Sequence, residues 1–231
     1  RSLKEWVRLL IIVPQGLAAP LLEHTEKEIA LSIELYKRLG ELGVPFTLEA
    51  AVHALGEEIH FYMCVPRYGE RRTIQLIEAL WRSAYVHHAD EYEVWLPDTP
   101  TTQEHITAGY LTLAKPYSLP LKVAHKGNFE PFSGVLRALS DLGSMGDGAA
   151  IQWVIKPADP RLMRDVGEHL NRLEKGEYHA SRFIHEDFLV TPGATEALRE
   201  KAHAPLFAVN CRIISARTHG NASFALGSIT K

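Results

Sequence analysis

Apolar and polar residues alternate most regularly over Glu57–Arg67, where Ile59, Phe61, Met63 and Val65 share one parity and His60, Tyr62 and Cys64 the other. A period of two built from β-branched and aromatic residues predicts a strand. Both parities are apolar or aromatic, so the strand is expected to be central and covered on both faces. Trp6–Val13 predicts an earlier strand, ended by Pro14. Between the two, Leu22, Ile29, Ile33 and Tyr36 recur at three- and four-residue spacings, with Leu31, Leu35 and Leu39 alongside. That spacing predicts a helix over Leu21–Leu39, with Pro20 in its first turn and Gly40 and Gly43 at its end.

Val44–Leu55 predicts a second strand, and Gly56-Glu57-Glu58 a turn that makes a hairpin with the strand after it. After Pro66, the stripe Ile74, Ile77, Leu80, Trp81 and Ala84 predicts a helix over Glu70–Tyr85. Glu91–Leu96 then reads as a fourth strand, stopped by Pro97. The order β-α-β-β-α-β is that of the split βαβ, or ferredoxin-like, unit: a four-stranded antiparallel sheet with two helices on one face.

Past a polar linker the pattern partly repeats. Tyr110–Ala114 and Leu119–Ala124 read as extended, Phe132–Leu142 as a helix and Ala149–Lys156 as a strand. Leu162–Lys175 and Ala194–Ala202 read as helices, and Pro205–Ala216 as a final strand. The expected organisation is α+β: a ferredoxin-like domain over 1–98, a linker over 99–107, and a second, elaborated ferredoxin-like unit over 108–231. The second unit carries a helical insertion around 158–204 and lacks its last helix and strand, so the chain reads as stopping inside or just after an unfinished domain. Pro205–Ala216, with Asn210 and Cys211 in a similar run, is the expected packing partner of Glu57–Arg67.

Composition narrows the function. With 231 residues, 46% hydrophobic and 23% charged, the chain is ordinary globular protein, and its formal charge of −3 gives no basic footprint for a dedicated nucleic-acid binder. No apolar run approaches the ~18–20 residues that span a bilayer, and the opening carries no export signal, so a cytoplasmic location is expected. Cys64 and Cys211 sit in apolar runs and read as buried thiols.

Catalytic patterns do not emerge. There is no Gly-x-x-x-x-Gly-Lys-Ser/Thr loop and no Gly-x-Gly-x-x-Gly after a strand; Gly143, Gly146 and Gly148 follow a helix and precede a strand, the wrong order for a phosphate cradle. The 12 histidines include the adjacent His87-His88 and the pair His179 and His185, without His-Glu-x-x-His or Cys-x-x-Cys spacing. They read as solvated or hydrogen-bonded side chains. Ser133-Gly134 reads as a helix cap, and Glu57-Glu58 and Glu186-Asp187 as solvated loop charges. No catalytic residue, cofactor or metal is therefore expected. The remaining candidate is the sheet face opposite the helices, with His60, Tyr62, Cys64 and Trp95. It reads as a packing or partner interface, with RNA or single-strand stacking as one alternative and a small-ligand-binding protein or enzyme with a pocket between the two halves as another.

Several stretches together resemble a known family. They are Glu57–Arg67, Leu76-Ile77-Glu78-Ala79, Tyr92-Glu93-Val94, Pro116–Lys122, Phe132–Leu139, Ala149–Pro157 and Pro205–Ile213. In these the chain resembles the N-terminal region of conjugation-type ATPases, the type IV secretion and DNA-transfer motor proteins of the HerA–FtsK-like class. The resemblance spans most of the chain and rests on strand patterns. In that family the phosphate loop and magnesium-binding acid belong to a later motor domain, and neither motif occurs here. The resemblance therefore implies a non-enzymatic assembly or docking region. Its implied partners are neighbouring subunits or secretion-channel components, reached at the inner face of the cell membrane.

Overall fold

The alternation around Ile59 becomes the third strand of a seven-stranded sheet in the computed structural model, which describes residues 5–14, 21–52, 58–89, 106–114, 116–121, 133–140, 148–175 and 193–216. The first part contributes β1 (Trp6–Ile12), α1 (Leu21–Glu41), β2 (Phe46–Val52), β3 (Ile59–Pro66), α2 (Glu70–Leu80) and β4 (Tyr85–His88). The second contributes β5 (Ile106–Leu111), α3 (Ser133–Ser140), β6 (Gly148–Pro157), α4 (Pro160–Glu174), α5 (Ala194–His203) and β7 (Phe207–Ala216). The strand order is β4-β1-β3-β2-β6-β7-β5, and every neighbouring pair is antiparallel.

The order β4-β1-β3-β2 is the ferredoxin-like arrangement expected from the sequence. The second part repeats it in mirror order: β6, β7 and β5 stand as β2, β3 and β1 do, and α4 and α5 intervene between β6 and β7. The two units share one sheet because β2 pairs with β6, from Phe46↔Ile155 to Val52↔Ala149.

Helices α1, α2 and α3 lie on one face. Leu9, Phe46, Met63 and Val65 pack there against Leu35 and Leu39 of α1 and Ile77 of α2. Leu139 of α3 packs on Ala50, Val52, Ile151 and Ile213. Each such side chain, fully buried, contributes roughly 1.5–3 kcal/mol. Helices α4 and α5 bury Val166, Leu170 and Leu198 between them. Asp159 caps α4 by accepting from the Arg161 N–H at 2.8 Å, with Pro160 opening the helix. Gly43, at φ 66°, lets the chain reverse from α1 into β2, where the Val44 N–H returns to the Leu39 carbonyl.

Several expectations shift. Ile29 and Ile33 are exposed, and Leu35 and Leu39 carry the buried stripe of α1. Tyr36 stacks on Phe46 at 5.5 Å and Gly40 abuts the Phe207 ring, which together seat the C-terminal half of α1 and leave its N-terminal half standing off the sheet. Helix α2 stops at Leu80, because Trp81 turns extended and the chain enters β4 at Tyr85. Ala84 and Val86 join the same core, so a strand continues an apolar spacing that reads as helical. The expected strand Glu91–Leu96 lies outside the described residues. Strand β5 begins at Ile106 rather than Tyr110; of the expected extended piece Leu119–Ala124, Leu119–Leu121 follows a turn and forms no strand, and the rest lies outside the described residues. Strand β7 pairs with β6 and β5, so it is not the partner of β3. Among the described residues, no helix is long and apolar enough to cross a membrane.

Candidate functional site on the open sheet face

Registers across the sheet align one row on the face away from α1, α2 and α3: Tyr110, Arg212, Gln152, Glu49, Tyr62, Leu10 and His87. The row is an outcome of parity alone, since each member faces the next across a strand pair. Its centre is buried. Glu49 is 6% exposed and Tyr62 5%. Tyr62 packs with Ala51 and Ala150, and Leu10 and Ala89 close around them. The Gln152 amide donates to the Glu49 carboxylate at 2.8 Å, which bridges the two units at β2·β6.

One step along the strands, Arg8 faces Cys64, and Cys64 faces Thr47. Burial pushes the Cys64 thiol up, while Arg8, close by in charge and hydrogen bond, works in the opposite direction. The thiol is thus held protonated and is a poor nucleophile. Burial likewise raises the Tyr62 phenol, aided by the Glu49 charge and opposed by Arg8. His60 stacks on Tyr62 with ring centroids 6.1 Å apart. These contacts make the centre of the face a hydrogen-bonded packing surface.

At its β5·β7 end the face is accessible. Tyr110 is 70% exposed beside exposed Arg212 and Asn210, around a recess of about 390 Å³ floored by Ala108, Gly109 and Ile214. The Arg212 Nε donates to Asn210 Oδ1 at 2.9 Å.

The helix side has its own opening. Beneath the raised end of α1 lies a mostly apolar recess of about 670 Å³, walled by Leu48, Phe61, Trp81, Trp153, Ile155 and Val209. Trp81 Nε1 donates to Glu28 Oε2 at 2.5 Å across its rim, tying α1 to the end of α2. Phe61 and Val209 are exposed, at 49% and 55%.

Of the expected site residues, the structure brings His60, Tyr62 and Cys64 together on one face of β3, half-buried or buried, and Trp95 lies outside the described residues. The recess under α1 is walled by residues of both units and includes Tyr62 but not His60. Glu49, Gln152, Tyr110 and Arg212 were not singled out by the sequence reading. Glu49 left a signal, an acid at an interior position of the apolar strand Phe46–Val52; the others needed the register. Among the described residues, no three His, Cys, Asp or Glu side chains converge as metal ligands.

Fold and face together define an α+β protein of two ferredoxin-like units joined in one sheet. Compared with known proteins, the chain matches no family model and no curated sequence.

Proposed function

We propose that the chain is a non-catalytic assembly or docking module, the N-terminal region of a conjugation or type IV secretion ATPase that moves DNA or protein. One observation carries the docking role: an exposed apolar strip on the helix side, with Phe61 and Val209 at the mouth of the recess and Leu111 on β5. Exposed apolar surface of this kind marks interaction sites. In the first unit α2 covers the strands β1 and β3; in the second, no described helix covers β5, and α3 reaches β7 at Ile213. The strip accordingly suits an amphipathic helix of a partner subunit, seated where α2 sits in its own unit. The resemblance to motor-protein N-terminal regions supports the identity of that assembly.

Two measurements test this reading. Purified chain is expected to show no magnesium-dependent ATP turnover; turnover abolished by substituting a residue of 1–231 overturns the non-catalytic role. Sequencing the gene beyond the Lys231 codon is expected to reveal an in-frame phosphate loop within a few hundred codons. An in-frame stop without one overturns the motor assignment.

A further inference from the structure

We infer that the β5·β7 end of the open face is a binding site for single-stranded nucleic acid, with Tyr110 stacking on a base and Arg212 meeting the backbone phosphate. The inference does not rest on the docking role, which uses the opposite face.

Its first support is topological. Strands β5 and β7 occupy the places of the first and third strands of a ferredoxin-like unit, the strands on which sheet-based readers display stacking side chains. In the first unit those positions are closed, because Tyr62 is buried. In the second, Tyr110 and Arg212 stand opposite each other in register and both are exposed. Beside the pair, Ala108, Gly109 and Ile214 floor a recess of about 390 Å³ in which a flat ring can lie next to the phenol. Asn210, on the same face, presents an amide for the edge of a base.

Charge supplies the second support. The chain is acidic overall, yet β5, β6 and β7 contain no Asp or Glu, and their two cations, Lys156 and Arg212, both lie on this face. The nearest carboxylate of the row, Glu49, is buried and accepts from Gln152. An anion approaching Arg212 thus meets positive charge and no exposed acid from these three strands. An aromatic surface beside cations, on an acid-free sheet, fits a polyanion that also carries flat rings.

The test is fluorescence anisotropy of a labelled oligothymidylate titrated with the whole chain over a series of KCl concentrations. Binding is expected to weaken with salt. Replacing Tyr110 by Leu is expected to lower affinity by about fivefold or more at every salt concentration. Replacing Arg212 by Gln is expected to lower it and to flatten the logarithmic salt slope by about 0.7, one phosphate contact for a single strand. Tyr110→Phe keeps the ring and is expected to retain binding, which separates stacking from any loss of fold; Tyr85→Leu, at the far rim, is the control. Absence of binding overturns the inference. So does binding indifferent to Tyr110→Leu and Arg212→Gln, equal affinity for duplex DNA, or equal competition by polyglutamate.

Discussion

Replacing Gln152 by Met tests whether the two units are held in register by a single buried polar contact. Met preserves the length and much of the volume of Gln while removing the N–H that reaches Glu49 at 2.8 Å. A hydrogen bond to a charged acceptor contributes about 1.5–3 kcal/mol, and a buried carboxylate deprived of a donor bears its desolvation cost. Gln152 is half-buried, so water partly replaces the lost donor, and the low end, about 1.5 kcal/mol, is the expected loss. With a urea dependence of ~2 kcal/mol per molar, the unfolding midpoint followed by tryptophan fluorescence falls by roughly 0.75 M. Two companions sharpen the result. In a Glu49→Gln background the same substitution removes only a neutral hydrogen bond and costs about 1 kcal/mol or less. Gln152→Glu sets two carboxylates face to face, so its penalty near neutrality is larger than that of Gln152→Met. A loss for Gln152→Met within ~0.5 kcal/mol, the range of an ordinary surface substitution, refutes the idea that this contact joins the units.

Three further outcomes follow from the packing. Ala at Gly40 places a methyl 2.8 Å from the Phe207 ring, whose other side meets Phe46; overpacking of ~1–3 kcal/mol exceeds the ~1 kcal/mol gained in helix propensity, so thermal stability falls, and Phe207→Leu restores it. Removing the Asp159 carboxylate by Asp159→Ala uncaps α4 and costs ~1 kcal/mol in urea titration, with Asp159→Ser nearly neutral. Tyr62 keeps its proton above the ordinary tyrosine range, so its contribution is whole below about pH 10 and is lost as the pH climbs toward its folded value, because the unfolded chain releases the proton first. The alkaline loss of stability is therefore expected to be smaller in Tyr62→Phe, as measured by urea titrations on either side of pH ~10.

Period-two alternation sufficed for five of the seven strands. Trp6–Val13, Val44–Leu55, Glu57–Arg67, Ala149–Lys156 and Pro205–Ala216 all fall on observed strands, because their apolar side chains build the core of the sheet. Periodicity misjudged α1, where Ile29 and Ile33 satisfy helical spacing but the Tyr36–Phe46 stack and the Gly40–Phe207 approach set which side faces the sheet. It also ran α2 into β4, since Trp81, Ala84 and Val86 feed one cluster from either conformation. The face of His60, Tyr62 and Cys64 was legible as a face; its burial was not, because that depends on Ala51 and Ala150 brought alongside. Tyr110 and Arg212 stand far apart in sequence, and only the β5·β7 register makes them neighbours.

The seam between β2 and β6 also has a history in time. Glu49 and Gln152 are 103 residues apart, whereas β2 and β3 are joined by a short connection. During synthesis β2 can therefore meet β3 long before β6 leaves the ribosome, and through that interval its outer edge is an open template for any stray strand. Glu49 stands on that edge as an inward-pointing charge, a recognised deterrent to edge-to-edge pairing. An apolar intruder would bring no donor to the carboxylate; β6 arrives carrying Gln152. The residue that joins the finished halves thus also guards the unfinished one.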